Sequence, residues 1–294
     1  ALWCDGRWSR RAEYLCRGFA GGEKREAGGR QLTVVSWQRA AAALGKFVKV
    51  TVIPTITAYP WGAPGHCMGA LVDELAEAGH EVQWFVAPID LENPEVQRRK
   101  ARCARFGVLP PPVPNFLRWS AVRRWIWTWQ AGKKTLAGEV NAFAPDHIFV
   151  NQGGMLCALQ KSYAEVLQPR TGAYSLICHL NHEGTPRSGA ELQQAQQLLA
   201  GAKVLFVNSA YMLDLAKVQL ARDLPNARHY HLPHRFNFAA ALPWSDSPDA
   251  RIAFVGRLDA FHKGLDLALC ALKELKDEGK RFRFTLYGEG PDRE

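Results

Sequence analysis

Residues 48–53 read Val-Lys-Val-Thr-Val-Ile, a β-branched run of the length of one strand. A loop rich in Gly and Pro follows at residues 60–65. Apolar residues then recur at the spacing of one helical face, at Met68, Leu71, Val72, Leu75 and Ala76. Gly79 is a helix stop, and residues 82–87 form a second apolar run. The stretch predicts a β-loop-α-β unit of about 40 residues, the building block of a doubly wound parallel sheet.

The same alternation continues along the chain. Four further apolar runs lie at residues 146–150, 173–178, 203–207 and 229–232. Runs of this kind are typical of strands buried on both faces. A second strand-helix-strand pattern occupies residues 251–287, beyond a stretch that contains Pro and Ser.

These patterns predict an α/β protein. We expect a Rossmann-like doubly wound parallel sheet domain at residues 48–240 and a linker at 241–250. Residues 251–294 are expected to form the first β-α-β of a second Rossmann-like domain, which would be incomplete in this chain. Residues 1–47 are rich in Gly and Arg, carry no motif, and are interpreted as an extension of unclear structure.

The composition excludes several classes of protein. Of the 294 residues, 47% are hydrophobic and 22% are charged, which permits a buried core and argues against a disordered chain. No apolar run approaches the ~18 residues of a membrane-spanning helix. The seven cysteines are odd in number and include no C-x-x-C pair, so a disulfide framework or zinc site is not expected. This usage favours a reduced, cytoplasmic protein.

The net charge of +9 is concentrated in residues 94–134, which hold ten basic residues, one acid and four tryptophans. Such a segment suits a phosphate-bearing partner, namely a nucleotide, a nucleic acid or an anionic membrane surface. The alternative is a solvated helical face above half-buried tryptophans. Residues 115–134 interleave the aromatic and basic side chains and are a candidate for peripheral membrane contact. No nucleic-acid-binding motif is present, so nucleic acid is not an expected partner.

Two loops carry candidate chemistry. The first, Gly62-Ala63-Pro64-Gly65, precedes the predicted helix, where free backbone N–H groups and the helix dipole attract phosphate. An ordinary strand-to-helix turn would have the same pattern. The second loop is more specific, because a strand ends at Gly256 and is followed at once by Arg257, with Lys263 six residues later. Two cations at the mouth of a strand can clamp a diphosphate and stabilise it as a leaving group.

Residues 255–267 resemble the G-R-x-x-x-x-K-G-x-D signature of the GT4-type retaining glycosyltransferases (glycosyltransferase group 1 family), which have the GT-B fold, with one additional residue between Arg257 and Lys263. The similarity extends to Gly62-Ala63 for Gly-Gly, Pro145-Asp146 at a strand entry, His179 at a strand end, Val207-Asn208-Ser209 for V-x-S and Gly288-Glu289-Gly290-Pro291 for G-x-G-P. Residues 232–237 match the family's P-N-G-V-D poorly, because Arg235 stands in place of Gly.

The resemblance implies a nucleotide-diphospho-sugar donor and transfer of its sugar with retention. It assigns the catalytic position facing the donor sugar to His179. The residues implied to contact the diphosphate are Arg257, Lys263, Gly62, Ala63 and Gly65, and those near the nucleotide are Gly256, Gly288 and Gly290. No metal or other cofactor is implied, since the cations would replace a metal.

The family's pair of glutamates, seven residues apart, would fall beyond Glu294. We therefore expect a chain truncated in its C-terminal domain and inactive alone. The acceptor is unknown, with lipid-linked and polysaccharide acceptors as candidates, and the expected location is the cytoplasm, at the inner face of the membrane. The alternative function is a non-catalytic module that binds an anionic membrane or another polyanion through residues 94–134.

Overall fold

The computed structural model of the chain describes residues 47–57, 62–109, 135–181, 189–230 and 250–293. The chain divides into two compact units between residues 234 and 235. Each unit is built from parallel strands joined by helices, and each is described by itself below.

A seven-stranded parallel sheet forms the centre of the first unit. Its strands are β1 (Lys49–Pro54), β2 (Glu81–Val86), β3 (Arg105–Val108), β4 (His147–Gly154), β5 (Tyr174–Leu180), β6 (Val204–Val207) and β7 (Ala227–His229). Its helices are α1 (Ala63–Glu77), α2 (Pro94–Lys100), α3 (Leu136–Phe143), α4 (Lys161–Leu167), α5 (Gly189–Gly201) and α6 (Ala210–Leu220). The strand order β3-β2-β1-β4-β5-β6-β7 reverses between β1 and β4, as in doubly wound sheets. The predicted α/β class with a parallel Rossmann-like sheet is confirmed.

The sheet is buried on both faces. On one face Phe149, Ile177 and Phe206 belong to the same core as the apolar side of α1. On the other face Val150 and Leu205 belong to a core that also includes residues of α3, α4, α5 and α6. Burial on both faces accounts for the nearly continuous apolar runs of the sequence.

Three local features differ from the prediction. Strand β7 ends at His229, so it shares only that residue with the strand predicted at residues 229–232. Helix α1 begins at Ala63, five residues before the first apolar repeat, because Pro64 is tolerated in a first turn where no intrahelical partner exists for its missing N–H. Strand β3 was not predicted, since Arg105-Phe106-Gly107-Val108 is short, only partly apolar and lies at the sheet edge. Residues 110–134, including the candidate membrane contact, lie outside the described residues.

Three of the five basic residues in the described part of the basic segment form ion pairs with acids, namely Arg98, Arg99 and Arg102. Arg99 is almost buried, and its Nε lies 2.8 Å from Asp73 Oδ2 while its Nη1 lies 2.7 Å from Glu95 Oε2. Arg102 contacts the other Asp73 oxygen at 2.8 Å and Glu77 at 3.2 Å. Hydrogen bonds from Arg99 and Arg98 lower the pKa of Glu95. Asp73 and Glu77 belong to α1 and lie outside residues 94–134, so a charge count over that segment misses this pairing.

We expect Asp73→Asn to lower the free energy of unfolding by about 2 kcal/mol, a cost between those of exposed and buried ion pairs. Within the described residues, the substitution leaves the buried Arg99 with the more exposed Glu95 as its remaining carboxylate partner. Urea unfolding measures the effect. Glu77→Gln is the matched control on the same helix face, because its pair with Arg102 is exposed and its loss is expected to cost about 0.5 kcal/mol or less. Equal stability of the two variants would contradict the prediction.

The second unit is a β-α-β arrangement. Its described elements are β8 (Ala250–Val255), α7 (Ala260–Lys263), α8 (Leu265–Asp277) and β9 (Phe282–Tyr287). Strands β8 and β9 pair in parallel, from Ala250 beside Phe282 to Val255 beside Tyr287. Helix α7 occupies part of the predicted polar loop, and the strand starts at Ala250, the last residue of the predicted linker. Val255 and Tyr287 are exposed at the ends of these strands.

Candidate functional site

The first turn of α1 lies at the carboxyl end of β1, beside the point where the strand order reverses. Gly62 is the N-cap residue of α1. Because glycine has no side chain, it cannot cap the N–H groups of the first turn. Ala63, Pro64 and Gly65 form that turn, and Pro64 has no N–H to offer. Asn151 of β4 donates from Nδ2 to the Pro64 carbonyl at 2.9 Å, so β4 holds the start of the helix in place.

Three polar side chains follow buried apolar residues on adjacent strands. Asn151, His179 and Asn208 each come two residues after the buried Phe149, Ile177 and Phe206. Because side chains i and i+2 share a face of a strand, the three polar groups lie on the α1 side of the carboxyl edge. Asn208 Nδ2 donates to the His179 carbonyl at 2.9 Å. The sheet therefore places His179 at the crevice where doubly wound proteins bind ligands.

Both ring nitrogens of His179 are hydrogen-bonded. Its Nε2 lies 2.7 Å from Asn151 Oδ1, and its Nδ1 lies 2.8 Å from the Tyr230 hydroxyl. Burial lowers the pKa of His179 to about 4 and raises the pKa of Tyr230. At neutral pH the imidazole is therefore uncharged and the phenol keeps its proton.

The loop after β8 presents the cations of the second unit. Arg257 Nη2 lies 2.7 Å from Asp259 Oδ2, and the Arg257 side chain is 44% exposed whereas that of Asp259 is 11% exposed. Lys263 is exposed at the end of α7. Gly264 has φ +63° and starts α8, a conformation that favours glycine. A mostly buried carboxylate thus holds a guanidinium whose side chain is nearly half exposed.

Two acidic residues of this loop region were not singled out in the sequence. Asp259 orients Arg257, and Asp292 Oδ2 accepts a hydrogen bond from the Ala260 N–H at 2.7 Å. Asp259 has a sequence signal, because an acid two residues after the arginine and just before a helix is a common helix-start pattern. Asp292 has none, since only the pairing of the two strands brings it to α7.

The glycines near the predicted nucleotide position lie where two loops cross closely. Gly256 N–H donates to the Tyr287 carbonyl at 3.0 Å, and Leu258 N–H donates to the Glu289 carbonyl at 2.9 Å. A Cβ at Gly288 would lie 1.8 Å from the Gly256 oxygen, and a Cβ at Gly290 would lie 2.1 Å from the Leu258 oxygen. These glycines therefore have a packing requirement, whatever ligand the loops bind.

The predicted site residues fall into two groups, one in each unit. Gly62, Ala63, Gly65 and His179 lie at the carboxyl edge of the seven-stranded sheet. Gly256, Arg257, Lys263, Gly288 and Gly290 lie in or beside the loops after β8 and β9. Sequence reasoning missed three residues that contact predicted site residues. The His179 partners Asn151 and Tyr230 were missed because they lie 28 and 51 residues away in the sequence. Asp259 was missed because the sequence does not show that its carboxylate pairs with Arg257.

Other candidate chemistry is limited within the described ranges. The five cysteines found there are free thiols, and burial raises the pKa of Cys103 to about 12. In the same ranges no three His, Cys, Asp or Glu side chains lie close enough together to hold a metal ion. None of the helices described is both long enough and apolar enough to cross a membrane.

No family model matches the chain, and no curated protein matches it in sequence. Among solved structures it is similar to the apo form of a lipopolysaccharide outer core galactosyltransferase, WaaB, with 10% sequence identity and a TM-score of 0.48. The similarity covers 83% of this chain and 62% of the galactosyltransferase chain, so this chain spans less than two thirds of that protein's length. The class of the protein, α/β with a Rossmann-like parallel sheet, follows from its own strand order.

Proposed function

We propose that this chain belongs to a retaining GT4-type glycosyltransferase of the GT-B fold and binds a nucleotide-diphospho-sugar donor. The observation that carries the proposal is the loop after β8, where Arg257 and Lys263 are both exposed and Asp259 holds the guanidinium. A planar guanidinium and a flexible ammonium together suit the oxygens of a diphosphate.

The same two cations would serve the chemical step. Transfer breaks the bond between the sugar's anomeric carbon and the diphosphate oxygen, and the electron pair of that bond stays on the diphosphate. Arg257 and Lys263 would stabilise the negative charge that grows there, while the sugar passes through an oxocarbenium-like transition state. In the proposal no metal or other cofactor is required for this step.

The family resemblance also assigns donor contacts to residues of the first unit. Gly62, Ala63 and Gly65 would allow the diphosphate to approach the N-terminus of α1, where backbone N–H groups lack intrahelical partners. His179 would face the sugar, and Gly256, Gly288 and Gly290 would lie near the nucleotide. The acceptor, of lipid-linked or polysaccharide type, and a location at the cytoplasmic face of the membrane belong to the same proposal.

The alternative function has less support. A module that binds anionic membranes through residues 94–134 needs free cations, whereas Arg98, Arg99 and Arg102 are paired with acids of α1 and α2. The Trp-rich part of the segment, residues 115–134, lies outside the described residues, so its membrane contact stays a sequence-based prediction.

Binding of UDP, GDP and ADP to the full chain, measured by isothermal titration calorimetry, tests the proposal. At least one of the three is expected to bind, and Arg257→Ala is expected to weaken that binding by about 10- to 100-fold, the worth of one lost charge-assisted contact. Arg251→Ala is the matched control, because Arg251 is an exposed arginine near the opposite end of the same strand. Failure of all three nucleotides to bind, or equal affinity for the parent and Arg257→Ala, would contradict the proposal.

A further inference from the structure

The His179 ring is hydrogen-bonded to side chains from two other parts of the first unit. Asn151 contacts one ring nitrogen and Tyr230 contacts the other, at 2.7 Å and 2.8 Å. The amide of Asn151 cannot turn freely, because its Nδ2 donates to the Pro64 carbonyl, which only accepts. Its Oδ1 therefore faces the histidine and can only accept a hydrogen bond.

The proton positions follow from this arrangement. His179 must carry its proton on Nε2, which donates to Asn151 Oδ1. The lone pair of a neutral ring is then on Nδ1, where it accepts the Tyr230 O–H. Tyr230 is itself buried and packs edge-on against Phe206 with ring centroids 6.4 Å apart. These surroundings favour a protonated phenol, as the donor role requires.

We propose that Asn151 and Tyr230 are positioning residues that lock His179 as the neutral Nε2–H tautomer and tie it to the first turn of α1. The locking is a property of the first unit alone, and only its catalytic meaning rests on the proposed function.

The locked state limits what His179 can do. Neither ring nitrogen is open to accept a proton, so the imidazole is unsuited to general base catalysis while these two contacts hold. It remains an uncharged ring with a fixed orientation. Such a group can border a sugar that develops positive charge without repelling it, as an imidazolium would. The Asn151 amide contacts both the His179 ring and the Pro64 carbonyl in the first turn of α1. One side chain therefore fixes the position of the ring relative to that turn.

The imidazole ¹⁵N spectrum of the full chain tests the proposal without any ligand. The chain has nine histidines, and His179→Gln identifies the signals of His179 by their disappearance. At pH 7 we expect a protonated Nε2 and an unprotonated Nδ1. Tyr230→Phe keeps the aromatic ring and removes only the hydroxyl, so the Nδ1 signal should shift toward that of a nitrogen without a hydrogen bond.

A second variant places a carboxylate against Nε2. Asn151→Asp favours the doubly protonated ring, so at pH 6 we expect an imidazolium at His179 where the parent stays neutral. Asn141→Asp adds the same charge on the exposed surface of α3 and should leave the His179 signals unchanged.

Three results would overturn the proposal: an Nδ1–H or rapidly averaged tautomer in the parent, an unchanged Nδ1 signal in Tyr230→Phe, or a neutral His179 in Asn151→Asp at pH 6. A failure of nucleotide binding would instead count against the donor proposal. The two inferences therefore fail separately.

Discussion

Lowering the pH from 7 to 4 is expected to cost the first unit about 3 kcal/mol of unfolding free energy for each of two histidines, His147 and His179. Burial lowers the pKa of each to about 4, and Lys203 adds to the effect at His147. In the unfolded chain both would titrate near the ordinary value of 6.5. The unfolded state therefore takes up protons first as the pH falls, and stability is lost between about pH 6.5 and pH 4, whereas above 6.5 these groups have no effect.

Urea unfolding at a series of pH values measures this loss, and neutral substitutions assign it. His147→Gln can still hydrogen-bond the Ser175 hydroxyl, which lies 3.0 Å from the native ring nitrogen, but it cannot take up a proton. The variant should lose about 3 kcal/mol less than the parent between pH 7 and 4. His66→Gln, at an exposed position of α1, is the control. A parent-like pH dependence in both His147→Gln and His179→Gln would contradict the assignment.

Gly288→Ala and Gly290→Ala are expected to separate the loops after β8 and β9. Each new Cβ would lie within about 2 Å of a backbone carbonyl oxygen, and a backbone cannot give way as a flexible side chain does. Gly288 also has φ +147°, which L side chains rarely adopt. We expect a cost above the ~3 kcal/mol upper end of ordinary overpacking. If the proposed function holds, nucleotide binding should be lost together with the loop structure.

Hydrogen exchange of the second unit reports the separation directly. The Gly256 and Leu258 N–H groups, which donate to the Tyr287 and Glu289 carbonyls, should lose their protection. Gly279→Ala is the matched control, because Gly279 has φ +75° but open space around it, so its cost should be only the ~1 kcal/mol of a strained backbone. Parent-like exchange at Gly256 and Leu258 in Gly288→Ala would show that the loops can adjust.

Local patterns predicted most of the fold. The apolar runs that became β1, β2, β4, β5 and β6 were visible because strands buried on both faces need uninterrupted apolar residues. The helix α1 was predicted because its core-facing side chains are apolar and recur with the helical period. Strand β3 was missed because it is a short edge strand that is only partly buried, so it has no uninterrupted apolar run. Its Gly107 is explained only by the neighbouring strand, since a Cβ there would lie 2.6 Å from the Phe85 ring.

The sequence by itself determined the alternation of strands and helices, and it placed Arg257 and Lys263 in the short connection between β8 and α8, because both depend on residues close together in the chain. Only the tertiary structure decided the surroundings of His179, whose partners Asn151 and Tyr230 lie 28 and 51 residues away. It also decided that Arg99 is neutralised by Asp73, 26 residues away on another helix. The physical reason is that the order of strands in a sheet, and not the spacing of residues in the chain, determines which polar groups meet at its carboxyl edge.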